Sequence, residues 1–112
     1  MKTYDGYDND GKFVYFEAPN FLLFRKTAVK LIKSIPGVSI IDVKINEDIF
    51  YTLMLNNRIF EIWEPFGDNS RYHIGERAIA NSNELEIIKQ KFSEFRPGLF
   101  AFFLNITKSK RA

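Results

Sequence analysis

The stretch VSIIDVKINEDIFYTLMLNNRIFEIWE, residues 38–64, decides the fold class. Val38 to Ile45 approaches a period of two and reads as a strand, and Asn46-Glu47-Asp48 reads as a turn. Ile49 to Leu55 is a second strand, apolar on both faces and so expected centrally in a sheet. Asn56-Asn57 suits a two-residue hairpin, because Asn tolerates the positive φ such turns demand. Arg58 to Glu64 then returns as a third strand. Pro65 to Ser70 forms a loop, and Arg71 to Gly75 is the fourth strand of the meander.

Helical spacing replaces this pattern on both sides. Upstream, Met1 to Lys12 is rich in Asp, Gly and Tyr and reads as loop, followed by a strand over Phe13 to Glu17. Asn20 is placed to cap a helix whose apolar face is Phe21, Phe24, Ala28, Leu31, Ile32 and Ile35. Pro36-Gly37 stops it. Downstream, Asn81-Ser82-Asn83 offers caps to a second helix, with Glu84 and Glu86 at its positive end. Its stripe is Leu85, Ile88, Phe92 and Phe95, and Arg96-Pro97-Gly98 ends it. Leu99 to Leu104 is compatible with strand or short helix, its three Phe favouring strand. The expectation is an α+β fold: a mostly antiparallel sheet of about five or six strands, with two helices packed on one face. Residues 1–112 form one domain, with 1–12 and 108–112 as loose ends.

Composition bounds the function. At 112 residues and 46% hydrophobic content, with twelve Phe, the chain can build one core without staples. It has no Cys, which excludes disulfides, thiolate metal sites and a cysteine nucleophile. Met1 to Asp10 lacks the apolar core of a secretory signal, and no apolar run is long enough to cross a bilayer. These features together favour the cytoplasm. The net charge of +2 is too small to imply a polyanionic partner by itself.

The chemistry-bearing residues are sparse. His73 is the one imidazole. Glu76 and Asp68 are near it in sequence, but strand alternation puts His73 on a face with Arg71 and Gly75 rather than with Glu76. A hydrolase centred on His73, Arg71 and Tyr72 is the least favoured reading. Glu61 and Glu64, three apart on a strand, fall on opposite faces and make no acid/base pair. No phosphate-binding glycine loop or nucleophile elbow is present, and a metal would have to be held by carboxylates with this single His. The expectation is therefore a non-enzymatic chain without cofactor, metal or small-molecule substrate.

Two features suit binding. The first helix carries Arg25, Lys26, Lys30 and Lys33 opposite its apolar stripe and no acidic residue, a basic surface for nucleic acid or an acidic protein. Lys108, Lys110 and Arg111 add charge in the tail. The second feature is the turn Trp63-Glu64-Pro65-Phe66-Gly67-Asp68-Asn69-Ser70-Arg71-Tyr72, which gathers the residue types enriched at binding hot spots. Its partner-binding residues are expected to be Trp63, Glu64, Phe66, Asp68, Asn69, Arg71 and Tyr72.

At this turn the chain resembles small bacterial immunity proteins of the contact-dependent growth inhibition type. The resemblance covers Glu64 to Tyr72 together with the size, the α+β style and the lack of Cys. It implies a cytoplasmic protein that binds and neutralises a cognate toxin domain as a heterodimer. Immunity proteins of nuclease toxins are often acidic. This slightly basic chain departs from that pattern, which leaves the toxin's identity open. The alternative is a small nucleic-acid-binding or regulatory protein that uses the basic first helix.

Overall fold

The period-two segments and the Asn56-Asn57 turn assemble into a single sheet. The computed structural model describes residues 1–20, 23–64 and 70–96. Its elements run β1 (Tyr4–Tyr7), β2 (Phe13–Pro19), α1 (Arg25–Lys33), β3 (Ser39–Val43), β4 (Ile49–Leu55), β5 (Arg58–Trp63), β6 (Arg71–Glu76) and α2 (Asn83–Glu94). Among these residues six strands pair in the order β1-β2-β6-β5-β4-β3, every pair antiparallel. The α+β expectation is met. From β3 to β6 the chain is the meander expected from its turns. Asn56 (φ 52°) and Asn57 (φ 64°) both take the left-handed conformation that matches the twist of the flanking strands.

Strand alternation then sorts the faces. Ile62, Ile74 and Phe16 are paired neighbours across β5, β6 and β2, and all three are fully buried. Phe92 of α2 meets Phe16 edge-on, with ring centres 5.4 Å apart. Ala28, Val29 and Ile32 of α1 join Leu85, Ile88 and Phe92 of α2 in the same core, so both helices cover this one face. In β4 a bulge between Ile49 and Tyr51 lets Phe50 and Tyr51 both be buried, since the extra residue breaks the alternation. Ser82 caps α2, its side chain accepting from the Leu85 N–H at 3.2 Å, and the α2 stripe is buried as its spacing predicts.

Several boundaries differ from the sequence expectation. The opening stretch is not all loop, because β1 pairs with β2 from Tyr4↔Glu17 to Tyr7↔Phe13. Its Asp, Gly and Tyr composition masks a strand that takes its hydrogen bonds from a neighbour. The first helix begins at Arg25, and Asn20 does not cap it. The Asn20 amide instead donates to Glu64 at 2.9 Å, and the Leu23 N–H is held by the Asn20 carbonyl at 3.2 Å. These bonds delay helix entry, and Phe24, expected on the apolar face, is 74% exposed. β3 stops at Val43, two residues short of the expected strand, and Lys44 enters the turn that bonds back to Glu47. The segments 99–104 and 108–112 lie outside the described residues.

Candidate functional site

The sheet face turned away from the helices carries an aromatic and charged cluster assembled from four strands. Residues 15 and 17 of β2 share a parity, as do residues 71, 73 and 75 of β6. Cross-strand pairing lines up Glu17, His73 and Trp63 in one row and Tyr15, Gly75 and Glu61 in the next. Tyr15 and His73 stack with planes 9° apart and centres at 5.8 Å. Trp63 approaches the other side of His73 at 5.5 Å. The result is an aromatic band across β2, β6 and β5, each ring half-buried.

Two glycines let Tyr15 lie where it does. A Cβ on Gly6 would fall 2.1 Å from the Tyr15 ring, and one on Gly75 would be 3.1 Å from the Tyr15 Cβ. Both positions are cross-strand partners of Tyr15, so the ring occupies space that side chains there would fill.

Charges frame the band. Glu17 lies between His73, whose Nε2 is 3.1 Å from Oε1, and Arg71, whose Nη1 is 3.9 Å from Oε2. The His73 contact is close but off the line of a hydrogen bond, and Nε2 is buried. The Arg71 guanidinium also sits 3.7 Å over the Tyr4 ring of β1, a cation–π contact. Arg77 and Glu61 pair at 3.2 Å on the same face. The cluster therefore presents flat rings and a guanidinium, while the His73 nitrogen nearest a carboxylate is turned into the protein.

The expected turn site is divided by strand alternation. Trp63 and Arg71 belong to the cluster. Tyr72 points the other way: it is buried at 2% exposure, and its hydroxyl donates to the Leu23 carbonyl. Glu64 also serves the helix side, accepting from Arg25 Nε at 2.6 Å and from Asn20 at 2.9 Å. Phe66, Asp68 and Asn69 lie outside the described residues.

The basic helix face is divided as well. Arg25 is turned inward, where its Nη1 donates to the Ile45 and Glu47 carbonyls at 2.7 and 2.6 Å. Its guanidinium also lies 4.6 Å from the Phe50 ring centre. Lys26, Lys30 and Lys33 remain exposed. Sequence reasoning missed Tyr4, Tyr15 and Glu17. The alternation of β2 places Tyr15 and Glu17 on one face, but their meeting with β6 depends on pairing between strands distant in the chain.

No family model matches the chain, nor does any curated protein or solved structure. Among the described residues no group of three or more His, Asp or Glu is placed to hold a metal ion. Among the same residues, no helix is long and apolar enough to cross a membrane. The reading of function therefore stands on the sheet face itself.

Proposed function

We propose that the chain is a non-enzymatic immunity protein that binds and neutralises a cognate toxin, through the face centred on Tyr15, His73 and Trp63. The observation that carries this reading is the aromatic band bordered by Arg71, Glu17, Glu61 and Arg77. Trp, Tyr and Arg dominate binding hot spots because they bury large areas and still keep a polar handle. The framing charges of both signs would select a partner and its orientation. The rings are held by a sheet and by packing on glycines, so little side-chain entropy remains to be lost on binding.

The test is capture with tagged protein from the native host, followed by a protection assay with whatever companion is recovered at stoichiometric levels. The wild-type chain should protect cells that express the companion. Trp63→Ala combined with Arg71→Ala should lose both binding and protection while keeping its circular dichroism spectrum. A doubly substituted protein that still binds and protects would remove this face as the site. The alternative nucleic-acid reading now rests on Lys26, Lys30 and Lys33, because Arg25 is committed inward. It predicts oligonucleotide affinity that falls steeply with salt.

A further inference from the structure

Among the described residues β3 is an edge strand, protected only by Asp42 and by a bulge between Ile40 and Asp42. All five of its residues are exposed, and Ile40, Ile41 and Val43 are each 42–46% accessible. It pairs with β4 on one side and, among the described residues, with no strand on the other. An edge strand with exposed apolar side chains is a template for another strand, and three of the five residues of β3 carry such side chains. Ile40 and Val43 pair with Leu53 and Tyr51, two core residues, so both belong to the helix side of the sheet.

Between this edge and α1 runs a groove of about 290 Å³, with a floor of Val29, Val43 and Ile45 and a rim of Lys26, Lys30 and Lys33. None of the three lysines has an ion pair or side-chain hydrogen bond among the described residues. Lys30 and Lys33 stand in the last turn of α1, where a cation suits the helix dipole. Lys26 stands in the first turn, which holds no acidic residue and where the positive end of the helix disfavours a cation. Helix formation therefore does not account for Lys26, whereas an anionic occupant of the groove does.

We propose that this groove takes an extended acidic segment of a partner protein, which adds to β3 as a further strand beyond the six among the described residues. Side chains that face one way along a strand recur every ~6.6 Å. Lys26 and Lys30 are separated by about 6 Å along the helix axis and Lys30 and Lys33 by about 4.5 Å. Glutamates at alternate positions would meet this row, with their methylene stems on Val29, Val43 and Ile45 and their carboxylates at the ammonium groups. Backbone pairing to β3 would supply affinity, and the lysines would supply charge selection. A phosphodiester chain would satisfy the lysines but leave the strand edge unpaired, which is why a peptide fits better.

This inference is independent of the outer-face reading, since the two surfaces share no residue. It is tested by titrating the full chain at low ionic strength with a short peptide of alternating Glu and Val. Binding should be saturable, should shift the amide signals of Ser39–Val43, and should be lost when Lys replaces Glu in the peptide. K26Q/K30Q/K33Q should weaken it about tenfold, the sum of three partly screened pairs. Methylating alternate peptide nitrogens keeps every charge and removes the strand donors, so it should also weaken binding by about tenfold or more. Equal binding of the methylated peptide would overturn strand addition. An oligonucleotide that displaces the peptide and binds more tightly would overturn the choice of partner, as would sedimentation showing the edge occupied by a second copy. Trp63→Ala/Arg71→Ala should bind the peptide unchanged, which separates failure here from failure of the proposed function.

Discussion

Tyr51 and Tyr72 are both buried on the helix side, yet their hydroxyls meet opposite fates. The Tyr72 hydroxyl donates to the Leu23 carbonyl, whereas that of Tyr51 is buried with no hydrogen-bond partner among the described residues. Removing a satisfied hydroxyl loses a bond and strands a carbonyl, while removing an unsatisfied one relieves a desolvation cost. Tyr72→Phe should therefore lower stability by about 1 kcal/mol, and Tyr51→Phe should leave it unchanged or raise it by up to ~1 kcal/mol. Denaturant titration of the two variants checks the difference in sign. Both phenols also respond to pH. Burial pushes each up from 10.0 to about 12, with Glu64 adding to the effect on Tyr72 and Arg25 opposing it. Below pH 10 the folded and unfolded chains both keep these protons, so the contribution to stability is fully present. Above pH 10 the unfolded chain releases them first, and stability should fall as pH rises towards about 12. Ultraviolet tyrosinate titration should show two late phenols whose ionisation coincides with unfolding; ionisation in step with the exposed tyrosines would contradict this. The sequence places Tyr72 in a strand, but which phenol finds a partner depends on Leu23, 49 positions away.

At the scale of elements, α1 is anchored by one residue rather than by a cap. Its N-cap position, Phe24, makes no side-chain hydrogen bond. Arg25 instead ties the helix to Glu64 after β5 and to the Ile45 and Glu47 carbonyls of the β3–β4 turn. Arg25→Ala should cost about 2–3 kcal/mol, because Glu64 and two carbonyls lose a mostly buried charged donor. Arg25→Lys should recover less than half of that loss, since an ammonium cannot reproduce the planar fork that spans these acceptors. Thermal melts of the two variants decide the point, and full rescue by Lys would show that charge alone matters. The helices' apolar stripes and the Ser82 cap were legible from spacing and residue type. The start of α1 was not, because Asn20, a good cap by propensity, is claimed by Glu64 through the tertiary fold. β1 was hidden for a related reason: a four-residue strand of Tyr, Asp and Gly exists only because β2 lies beside it.

Over the whole molecule, stability should be graded from the centre of the sheet to its edges. Among the described residues β2, β6, β5 and β4 are paired on both sides, whereas β1 and β3 are each paired on one. Hydrogen exchange should therefore be slowest in β5 and β6 and fastest in β1 and β3, since edge amides open without global unfolding. The acidic peptide should slow exchange in β3 and leave β1 unchanged. Uniform protection across all six strands would contradict the gradient. Local signals determined the class of fold, the meander, the Asn56-Asn57 turn and the buried stripe of α2, because periodicity, turn chemistry and capping act over a few residues. Those signals also singled out Trp63 and Arg71 beside one turn and set basic residues along α1. Tertiary structure alone decided that β2 pairs with β6, which brings Tyr15, Glu17 and Tyr4 to His73, Trp63 and Arg71. It alone turned Arg25, Glu64 and Tyr72 inward and left β3 at an edge beside three lysines. The physical reason is that strand order and side-chain partners are set by where distant segments bury their apolar faces together, and no local pattern in the chain records that choice.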